Sequence, residues 1–338
     1  MTIQAPLVIS LGDPCGIGPE IAAKAWLAIH NQPHLAFCLL GDTGLIEAQG
    51  VPVRRVAAVG ESAAFFADAL PVLHTPLTVP AVPGQPDSAH AAHIIGWIRA
   101  GVSLCQSGEA RALVTCPIAK SVLYASGFKF PGHTEYLAEL CRDGEHVPHP
   151  VMMLTAPDAA NDSALRVVLA TVHRALKDVP AALSVAGIAD VARITHAALI
   201  RDFGIARPRL MMAGLNPHAG EDGTIGREEI DVLRPAADGL RNESIDIRGP
   251  FPADSLFHEE ARRAYDAVVC MYHDQGLIPL KTLDFWGGVN ITLGLPVVRT
   301  SPDHGTGFNI AGQGVARADS LINAILAADS IARQRASA

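Results

Sequence analysis

Three apolar runs in the middle of the chain constrain its fold more than any other feature. The segments 166–172, 209–215 and 267–272 have the length and the apolar content of buried strands. Helical patterns lie between them, over 181–203 and 226–241. Strands that alternate with helices in this way predict an α/β fold with mostly parallel sheets.

Each of these predicted strands ends close to a histidine: His173, His218 and His273. The three lie far apart in the sequence, so only the fold can bring them together. Three neutral imidazoles that leave one position open form a common catalytic shell for borderline divalent ions. One histidine after a strand is more often a structural hydrogen-bonding group, but three in similar contexts favour a shared metal site. Asp254, expected at the start of a helix, is either its N-cap or an acid beside the metal, where it would act as a base or orient a ligand.

The stretch 271–307 carries further polar side chains. The apolar runs that thread it, 268–271, 289–295 and 296–298, are predicted to be short buried strands. Polar groups at the ends of buried strands are how an α/β enzyme builds a site. Lys281 and Arg299 suit a phosphate or a carboxylate, Arg through its planar fork and Lys as a point charge. Lys281 is alternatively a proton shuttle, if burial beside a metal lowers its pKa.

Strand-to-helix junctions elsewhere offer further candidate groups for an anion. A glycine-rich loop, 12–20, follows the first predicted strand, and His133 and Thr134 open a later helix. Free N–H groups at such a helix start, with an imidazole and a hydroxyl beside them, suit a phosphate. Thr134 is alternatively only the N-cap of its helix. Lys120 follows a third junction, where it either faces a ligand or lies on the helix surface.

The composition excludes several classes of function. The chain has 26 Lys and Arg against 34 Asp and Glu, a net charge of -8, and no basic block. This balance argues against nucleic acid or an anionic membrane as a partner. The six cysteines are scattered without a CxxC pair, so neither a disulfide framework nor a thiolate zinc site is expected. The first residues lack a basic segment followed by a long apolar one, and we therefore expect a cytoplasmic protein.

Six segments of the sequence together resemble one enzyme family. They are GDPCGIGPE, TCPIAK, PGHTEY, GLNPHAGEDGTIGREEID, GPFPADSLF and YDAVVCMYHDQGLIPLKTLDFWGGVNITLGLPVVRTSPDHGTG. In this order they are similar to the 4-hydroxythreonine-4-phosphate dehydrogenases of pyridoxal 5'-phosphate biosynthesis, over residues 7–325. The departures are Cys15 where Ala is usual, Cys116 where Gly is usual, and 308–309, normally a different dipeptide. Cys116 leaves the backbone contact with a ligand at that junction open.

The resemblance implies a fold similar to that of isocitrate and isopropylmalate dehydrogenases, with two α/β/α domains and an active site in the interdomain cleft. The first domain would comprise residues 1–130 and about 300–338. The second, 131–300, would carry the dimer interface and the metal site. The resemblance also implies a homodimer that uses NAD or NADP and one divalent metal, Zn, Mg, Mn or Co. It assigns no residue to the cofactor.

Carried over residue by residue, the resemblance implies roles for most of the candidate side chains. The metal ligands, in a site completed across the dimer, would be His173, His218 and His273. The small phosphorylated substrate would be held by His133, Thr134, Lys281, Asn290 and Arg299. The catalytic side chains would be Lys281 and Asp254.

The implied reaction is the NAD(P)-dependent oxidation of 4-phosphooxy-L-threonine to 2-amino-3-oxo-4-phosphooxybutanoate, which loses carbon dioxide to give 3-amino-2-oxopropyl phosphate in pyridoxine 5'-phosphate biosynthesis. Related dehydrogenases of threonate or erythronate 4-phosphate, or of an aromatic cis-dihydrodiol carboxylate, are alternatives. The residues alone also fit a metal-dependent hydrolase or lyase that uses the three histidines to activate water. A non-catalytic phosphometabolite binder is a third class, and it has little need of an open metal site.

Overall fold

The structure is a computed structural model, and it describes residues 5–130, 132–156 and 164–337. Pro131, which belongs to the PGHTEY segment, lies outside the described residues.

Strands and helices alternate along the described chain. In order, the strands are β1 (Leu7–Ser10), β2 (Phe37–Gly41), β3 (Val53–Arg55), β4 (Leu70–His74), β5 (Ala112–Thr115), β6 (Val151–Ala156), β7 (Leu165–Leu169), β8 (Arg209–Ala213), β9 (Asp246–Phe251), β10 (Ala267–Cys270), β11 (Val289–Leu293) and β12 (Arg299–Pro302). The α-helices are α1 (Gly18–Ile29), α2 (Thr43–Glu47), α3 (Ser62–Phe65), α4 (Ala91–Gln106), α5 (Lys120–Ala125), α6 (His133–Leu140), α7 (Val179–Ala182), α8 (Val185–Phe203), α9 (Arg234–Asn242), α10 (Glu259–Arg262), α11 (His273–Leu283) and α12 (Asp319–Ser337).

The chain separates into two compact units. Unit 1 comprises Met1–Pro150 with Leu295–Arg333, and unit 2 comprises Val151–Gly294 with Gln334–Ala338. The boundary expected near residue 130 lies earlier than this division, because α6 packs against α4 and therefore belongs with unit 1.

The described strands of unit 1 form an all-parallel arrangement. Their order is β3-β4-β2-β1-β5-β12, and each neighbouring pair is parallel. β1, β2 and β5 are buried along their whole length, as expected for parallel strands that are covered on both faces. The carboxyl ends of β1, β5 and β12 therefore lie at one edge of the sheet, where an α/β fold places its ligands.

Unit 2 contains a mixed sheet with the order β11-β6-β7-β10-β8-β9 in its described residues. β7, β10, β8 and β9 are parallel, whereas β6 is antiparallel to both of its neighbours, β7 and β11. β7, β10 and β8 are adjacent strands, so their carboxyl ends are neighbours at the same edge.

Local sequence signals set the ends of the long helix α8. Ser184 is the N-cap, and its hydroxyl accepts a hydrogen bond from the N–H of Gly187. Gly204 ends the helix in the left-handed conformation, with a φ of 68°, which glycine adopts without steric penalty. In the described part of the chain, no single helix is long and apolar enough to span a membrane. Only when the bent pair Leu176–Ala182 and Val185–Phe203 is counted as one segment do its length and composition reach those of a membrane span.

The predicted α/β class with mostly parallel sheets is confirmed, while two local predictions differ from the structure. The run 296–298 is not a strand, and β12 instead begins at Arg299, so this residue starts a strand rather than following one. The proline-rich stretch 71–86 is predicted to be a connection or edge strands. It contains most of β4, which lies between β3 and β2; Pro71 is tolerated there because it is close to the start of the strand.

Candidate active site

A buried guanidinium lies at the start of β12 in unit 1. Arg299 is 4% exposed, and its Nη2 donates a hydrogen bond of 2.7 Å to Oγ1 of Thr115, the last residue of the adjacent strand β5. Burial lowers the pKa of Arg299 to about 10, so the side chain remains a cation at neutral pH. A cation in this position favours an anionic ligand, because a negative charge offsets its loss of hydration.

The imidazole of His133 lies next to this guanidinium. Nδ1 of His133 is 3.4 Å from Nη2 of Arg299, and it must accept because a guanidinium only donates. Burial and, secondarily, the charge of Arg299 hold the pKa of His133 well below its usual range. The ring is therefore neutral, with its proton on Nε2. This atom is buried and has no hydrogen-bond partner among the described residues, so it is a donor available to a ligand.

We call Arg299, His133 and Thr115 the anion cluster. α6 presents its first turn beside this cluster, because His133 is its first residue. Its N-cap is Gly132, so the alternative that Thr134 is only the N-cap is wrong; Thr134 lies within the first turn. A Cβ atom on Gly132 would be 3.4 Å from Nζ of Lys120, which places this ammonium group near the start of α6.

The loop after β1 packs closely against the junction that contains Cys116. Cys116 is fully buried, and burial raises the pKa of its thiol to about 12. A Cβ atom on Gly18 would be 3.5 Å from Cβ of Cys116, so the thiol side chain fills space beside the start of α1. In the same loop, burial raises the pKa of Asp13 to about 6, and one hydrogen bond from the N–H of Cys15 opposes the shift.

The predicted metal ligands follow three adjacent parallel strands of unit 2. His173 follows β7, His218 follows β8, and His273 is the first residue of α11, after β10. We call these three residues the histidine set. Because the strands are neighbours in the order β7-β10-β8, their carboxyl ends direct all three loops to one edge of the sheet.

Two members of the histidine set lie side by side. The ring centroids of His173 and His273 are 5.8 Å apart, and both residues line a cavity of about 320 Å³ together with Arg174 and Tyr272. Nδ1 of His273 is 2.7 Å from Oδ1 of Asp274, a contact that fixes the ring and leaves Nε2 for a ligand. Among the residues that the structure describes, one chain contains no group of three His, Cys, Asp or Glu side chains that could hold a metal.

His218 occupies an unusual backbone segment. Residues 218–222 all have positive φ values, between 42° and 78°, and form a left-handed turn. The left-handed conformation costs non-glycine residues about 1–2 kcal/mol each, so such a run is kept only where its surroundings enforce it. The turn packs against residues 253–255, where Asp254 is exposed in a short 3-10 helix that follows Pro252. The alternative that Asp254 is an N-cap is wrong, because Pro252 holds that position.

The remaining candidates lie on two other elements of unit 2. Lys281 is on α11, the helix that begins with His273, and its Nζ is 5.5 Å from the ring centroid of Phe285. Asn290 is on β11, and its Oδ1 is buried without a hydrogen-bond partner in the described residues. A buried, unpartnered carbonyl oxygen is an acceptor that a ligand would satisfy.

Sequence reasoning missed Thr115, which contacts Arg299, and Gln275, which contacts the backbone at the start of two of the histidine loops. Thr115 is bonded to Arg299, and Gln275 lies two residues after His273 in the first turn of α11. A polar residue at the carboxyl end of a predicted parallel strand is a signal that could have indicated Thr115. Gln275 gave no such signal, because its role depends on two strands that are distant in sequence.

The fold and these side chains define an α/β protein with a buried cationic cluster suited to a small anion and a pair of histidines suited to a divalent metal. A family model, the pyridoxal phosphate biosynthetic protein PdxA, matches residues 34–328. A 4-hydroxythreonine-4-phosphate dehydrogenase of Caulobacter vibrioides is 56% identical over 334 residues, which cover 98% of both proteins. The chain therefore belongs to the PdxA family, whose members are dehydrogenases and hence oxidoreductases.

Solved structures agree with this family assignment. A 4-hydroxythreonine-4-phosphate dehydrogenase from Klebsiella pneumoniae is 34% identical, with a TM-score of 0.84, covering 97% of this chain and 100% of that one. A terephthalate 1,2-cis-dihydrodiol dehydrogenase from Burkholderia xenovorans is 28% identical, with a TM-score of 0.63, covering 97% and 98%. The fold is thus common to dehydrogenases that are named for different substrates.

Proposed function

We propose that the chain oxidises 4-phosphooxy-L-threonine with NAD or NADP, in the biosynthesis of pyridoxine 5'-phosphate. The product, 2-amino-3-oxo-4-phosphooxybutanoate, then loses carbon dioxide to give 3-amino-2-oxopropyl phosphate. The relatives named for this substrate match almost the whole chain. The observation in the structure that carries the proposal is the anion cluster, where a buried cation adjoins an imidazole N–H with no partner among the described residues.

The substrate carries a phosphate and a carboxylate, and several residues of this chain suit these groups. Arg299 would supply the fixed positive charge, and Nε2 of His133 a neutral hydrogen bond. Thr134 would add its hydroxyl and the N–H groups of the first turn of α6. Asn290 would pair its buried Oδ1 with the substrate's ammonium group or hydroxyl.

We propose that the histidine set holds one divalent metal, Zn, Mg, Mn or Co, and its imidazoles suit zinc better than magnesium or manganese. Imidazole nitrogen is a favoured ligand of zinc and cobalt, and the contact of His273 with Asp274 is the outer support that metal-binding histidines usually have. The separation of the rings of His173 and His273 is compatible with a shared ion. When bound, the metal would lower the pKa of the substrate hydroxyl and stabilise negative charge on its oxygen.

The oxidation moves one hydride and one proton. When bound, the nicotinamide would accept the hydride from the carbon that bears the hydroxyl, and the hydroxyl proton would pass to a base of the protein. We propose Lys281 or Asp254 as that base, because each belongs to an element that adjoins a member of the histidine set. Lys281 is alternatively an anion-binding group, which a pH profile of the variant Lys281→Met would distinguish.

Decarboxylation follows from the product's own structure. The new ketone is β to the carboxylate, so breaking the carbon–carbon bond releases carbon dioxide and leaves its electron pair in an enolate. A proton on the adjacent carbon completes 3-amino-2-oxopropyl phosphate. The same base, protonated in the first step, is suited to return this proton.

We further propose that the protein is a homodimer and that the metal site is completed across it. Ile278, Phe285 and Trp286, on α11 or just after it, are 65%, 61% and 52% exposed in the single chain. Large apolar side chains grouped in this way are typical of a protein interface. The helix that carries them also carries His273, so a second copy bound here would lie next to the histidine set.

Turnover by the purified enzyme tests the reaction. We expect nicotinamide reduction with 4-phosphooxy-L-threonine in the presence of a divalent metal, and loss of turnover after chelation. Nicotinamide reduction with threonate or erythronate 4-phosphate alone would move the assignment to a sugar-acid phosphate. Product formation without nicotinamide reduction would instead indicate a hydrolase or lyase.

A second candidate substrate is an aromatic cis-dihydrodiol carboxylate. The structural similarity to a terephthalate 1,2-cis-dihydrodiol dehydrogenase favours it, although the TM-score of 0.63 is lower than the 0.84 for the Klebsiella pneumoniae enzyme. An aromatic substrate of this class carries no phosphate, so inhibition by inorganic phosphate would favour the phosphorylated substrate.

A further inference from the structure

A buried amide connects the loops that carry His273 and His218. Gln275 is 8% exposed; its Oε1 accepts a hydrogen bond of 2.7 Å from the N–H of Met271, and its Nε2 donates one of 2.7 Å to the carbonyl of Gly214. Met271 directly follows β10, and Gly214 directly follows β8. The side chain of Gln275 therefore connects the ends of β10 and β8, at the residues where the chain leaves each strand toward His273 or His218.

A hydroxyl makes the equivalent connection to the third loop. Thr171, two residues before His173, is buried, and its Oγ1 donates a hydrogen bond of 2.6 Å to the carbonyl of Met271. Met271 is thus held through its N–H by Gln275 and through its carbonyl by Thr171. Side-chain hydrogen bonds therefore connect the carboxyl ends of β7, β10 and β8.

A buried carboxylate shapes the start of the loop that contains His218. Glu229 is fully buried, and its Oε1 accepts hydrogen bonds of 2.7 Å from the N–H groups of both Leu215 and Asn216. Its Oε2 accepts a third, of 2.9 Å, from the side-chain amide of Asn216. A Cβ atom on Gly220 would be 2.6 Å from Oε2, so the left-handed turn packs directly onto this carboxylate.

We propose that Gln275 and Glu229 are positioning residues for the metal site, and that they hold the loop of His218 and the start of α11, which carries His273, in the conformations that metal binding requires. This inference rests on the proposed role of the histidine set as metal ligands. Glu229 favours the strained turn that carries His218, and Gln275 ties the first residue of that loop to the strand that leads to His273. Neither side chain would touch the metal or the substrate.

Zinc binding to the otherwise metal-free protein tests the inference without turnover. Gln275→Leu removes both hydrogen bonds, and Gln275→Glu keeps the acceptor for Met271 while losing the donor to Gly214. Glu229→Ala removes all three acceptor contacts, and Glu229→Gln retains Oε1. We expect zinc affinity to fall by about 10- to 100-fold in Gln275→Leu and Glu229→Ala, as for other outer supports of metal ligands, and by less in the two conservative variants.

Hydrogen exchange supplies a second readout. Amides of residues 214–223 are expected to exchange faster in Glu229→Ala than in the natural protein, because the enforced turn loosens. Thr195→Val is the matched control: Thr195 is fully buried in α8, and its hydroxyl donates to the carbonyl of Val191 in its own helix. This control is expected to change stability without changing zinc affinity.

The outcomes separate this inference from the proposed function. If His218→Asn lowers zinc affinity but Gln275→Leu and Glu229→Ala lower only thermal stability, as the control does, the positioning role is wrong and the metal site stands. If His218→Asn leaves zinc affinity unchanged, the metal site itself is wrong. Equal losses of affinity in Glu229→Gln and Glu229→Ala would contradict the geometric role, because the first variant keeps the acceptor for the two backbone amides.

Discussion

The anion cluster and the histidine set differ in how much of their geometry one chain supplies. Arg299 is buried and bonded to a neighbouring strand, and its contact with His133 fixes the tautomer of that ring. In the histidine set, by contrast, His173 and His218 are exposed, and only the rings of His173 and His273 adjoin. The first group is organised by the fold of its own unit, whereas the second is incomplete in the described chain.

This contrast has a physical basis. A buried guanidinium and a neutral imidazole are held by burial and hydrogen bonds that the single chain provides, so they are in place before a ligand arrives. One or two exposed imidazoles bind a metal weakly, and tight binding requires a third donor atom close to them. The anion cluster is therefore expected to respond to substitution within the chain, and the histidine set to respond also to assembly.

Removing the guanidinium is expected to have the largest effect. Arg299→Met is expected to lower kcat/KM for 4-phosphooxy-L-threonine by about 100- to 1000-fold, because loss of one partner from a buried charged contact costs about 3–4 kcal/mol. Zinc affinity is expected to be unchanged, since the substitution does not touch the histidine set. Steady-state kinetics and zinc titration of the same preparation measure both quantities.

Arg111→Met is the control for this variant. Arg111 is also a largely buried arginine of unit 1, but it pairs with Asp329 at 2.8 Å and bonds the carbonyl of His34. The control is expected to lower the melting temperature and to retain kcat/KM. Equal loss of activity in both variants would mean that Arg299 supports the fold and not the substrate.

Single substitutions in the histidine set are expected to have the next largest effect. His173→Asn and His218→Asn are each expected to lower zinc affinity by about 100-fold or more, since each removes a ligand rather than an outer support. If each site takes His173 and His273 from one subunit and His218 from the other, mixing the two inactive proteins is expected to restore about a quarter of the zinc sites, because half of the random two-fold dimers then carry one intact site out of two. Zinc stoichiometry and turnover of the mixture measure this recovery.

Absence of recovery on mixing would mean that His173 and His218 bind the metal from the same subunit. A second test uses the exposed apolar residues: Trp286→Ser is expected to weaken the dimer and zinc affinity together. If light scattering gives a monomer that still binds zinc tightly, the histidine set would be complete in one chain, and the contrast with the anion cluster would disappear.

A smaller effect is expected for Asp274. Asp274→Asn weakens the acceptor that holds Nδ1 of His273, and we expect zinc affinity to fall by about 10-fold. Asp222→Asn is the matched control, because Asp222 lies on the turn of His218 but pairs with Arg234. Zinc titration distinguishes them; equal affinities for the two variants would show that the contact with His273 is incidental.

The sequence predicted the elements of this fold better than their connections. The strands β7, β8 and β10 were predicted from apolar runs, because buried parallel strands require such runs on both faces. The short strand β4 is predicted only as a connection or an edge strand, since Pro71 within it is usual only at strand starts and edges; in the structure β4 lies between β3 and β2. Arg299 was placed after a strand instead of at the start of β12, because the apolar run that precedes it is only a connection.

The candidate site shows the same limit. Histidines that follow strands are visible as a sequence pattern, whereas Gln275 and Glu229 are linked to their loops by contacts over distances that no local pattern encodes. The left-handed turn of His218 was also not predicted, because glycine occupies only one of its five positions, Gly220. Tertiary contacts with Glu229, and not local propensity, enforce it.

The smallest expected effect concerns the pH dependence of stability, and it separates the half-buried His133, whose Nε2 is buried, from exposed histidines. The pKa of His133 is held well below its ordinary value of 6.5 in the folded chain. Above that value the ring is neutral in both states and has no effect on stability. As the pH falls below it, the unfolded chain binds a proton that the folded chain does not, so the unfolding free energy decreases.

Replacing His133 with Asn removes this titration. We therefore expect the loss of unfolding free energy between about pH 7.5 and about pH 5.5 to be smaller in His133→Asn than in the natural protein, by about 1 kcal/mol. Urea unfolding at the two pH values measures the difference, with His34→Asn, at an exposed histidine, as the control. An identical pH dependence in natural protein and His133→Asn would mean that His133 takes up a proton in the folded chain. The anion cluster would then hold a second cation beside Arg299, and the phosphate would meet a site of charge +2 rather than +1.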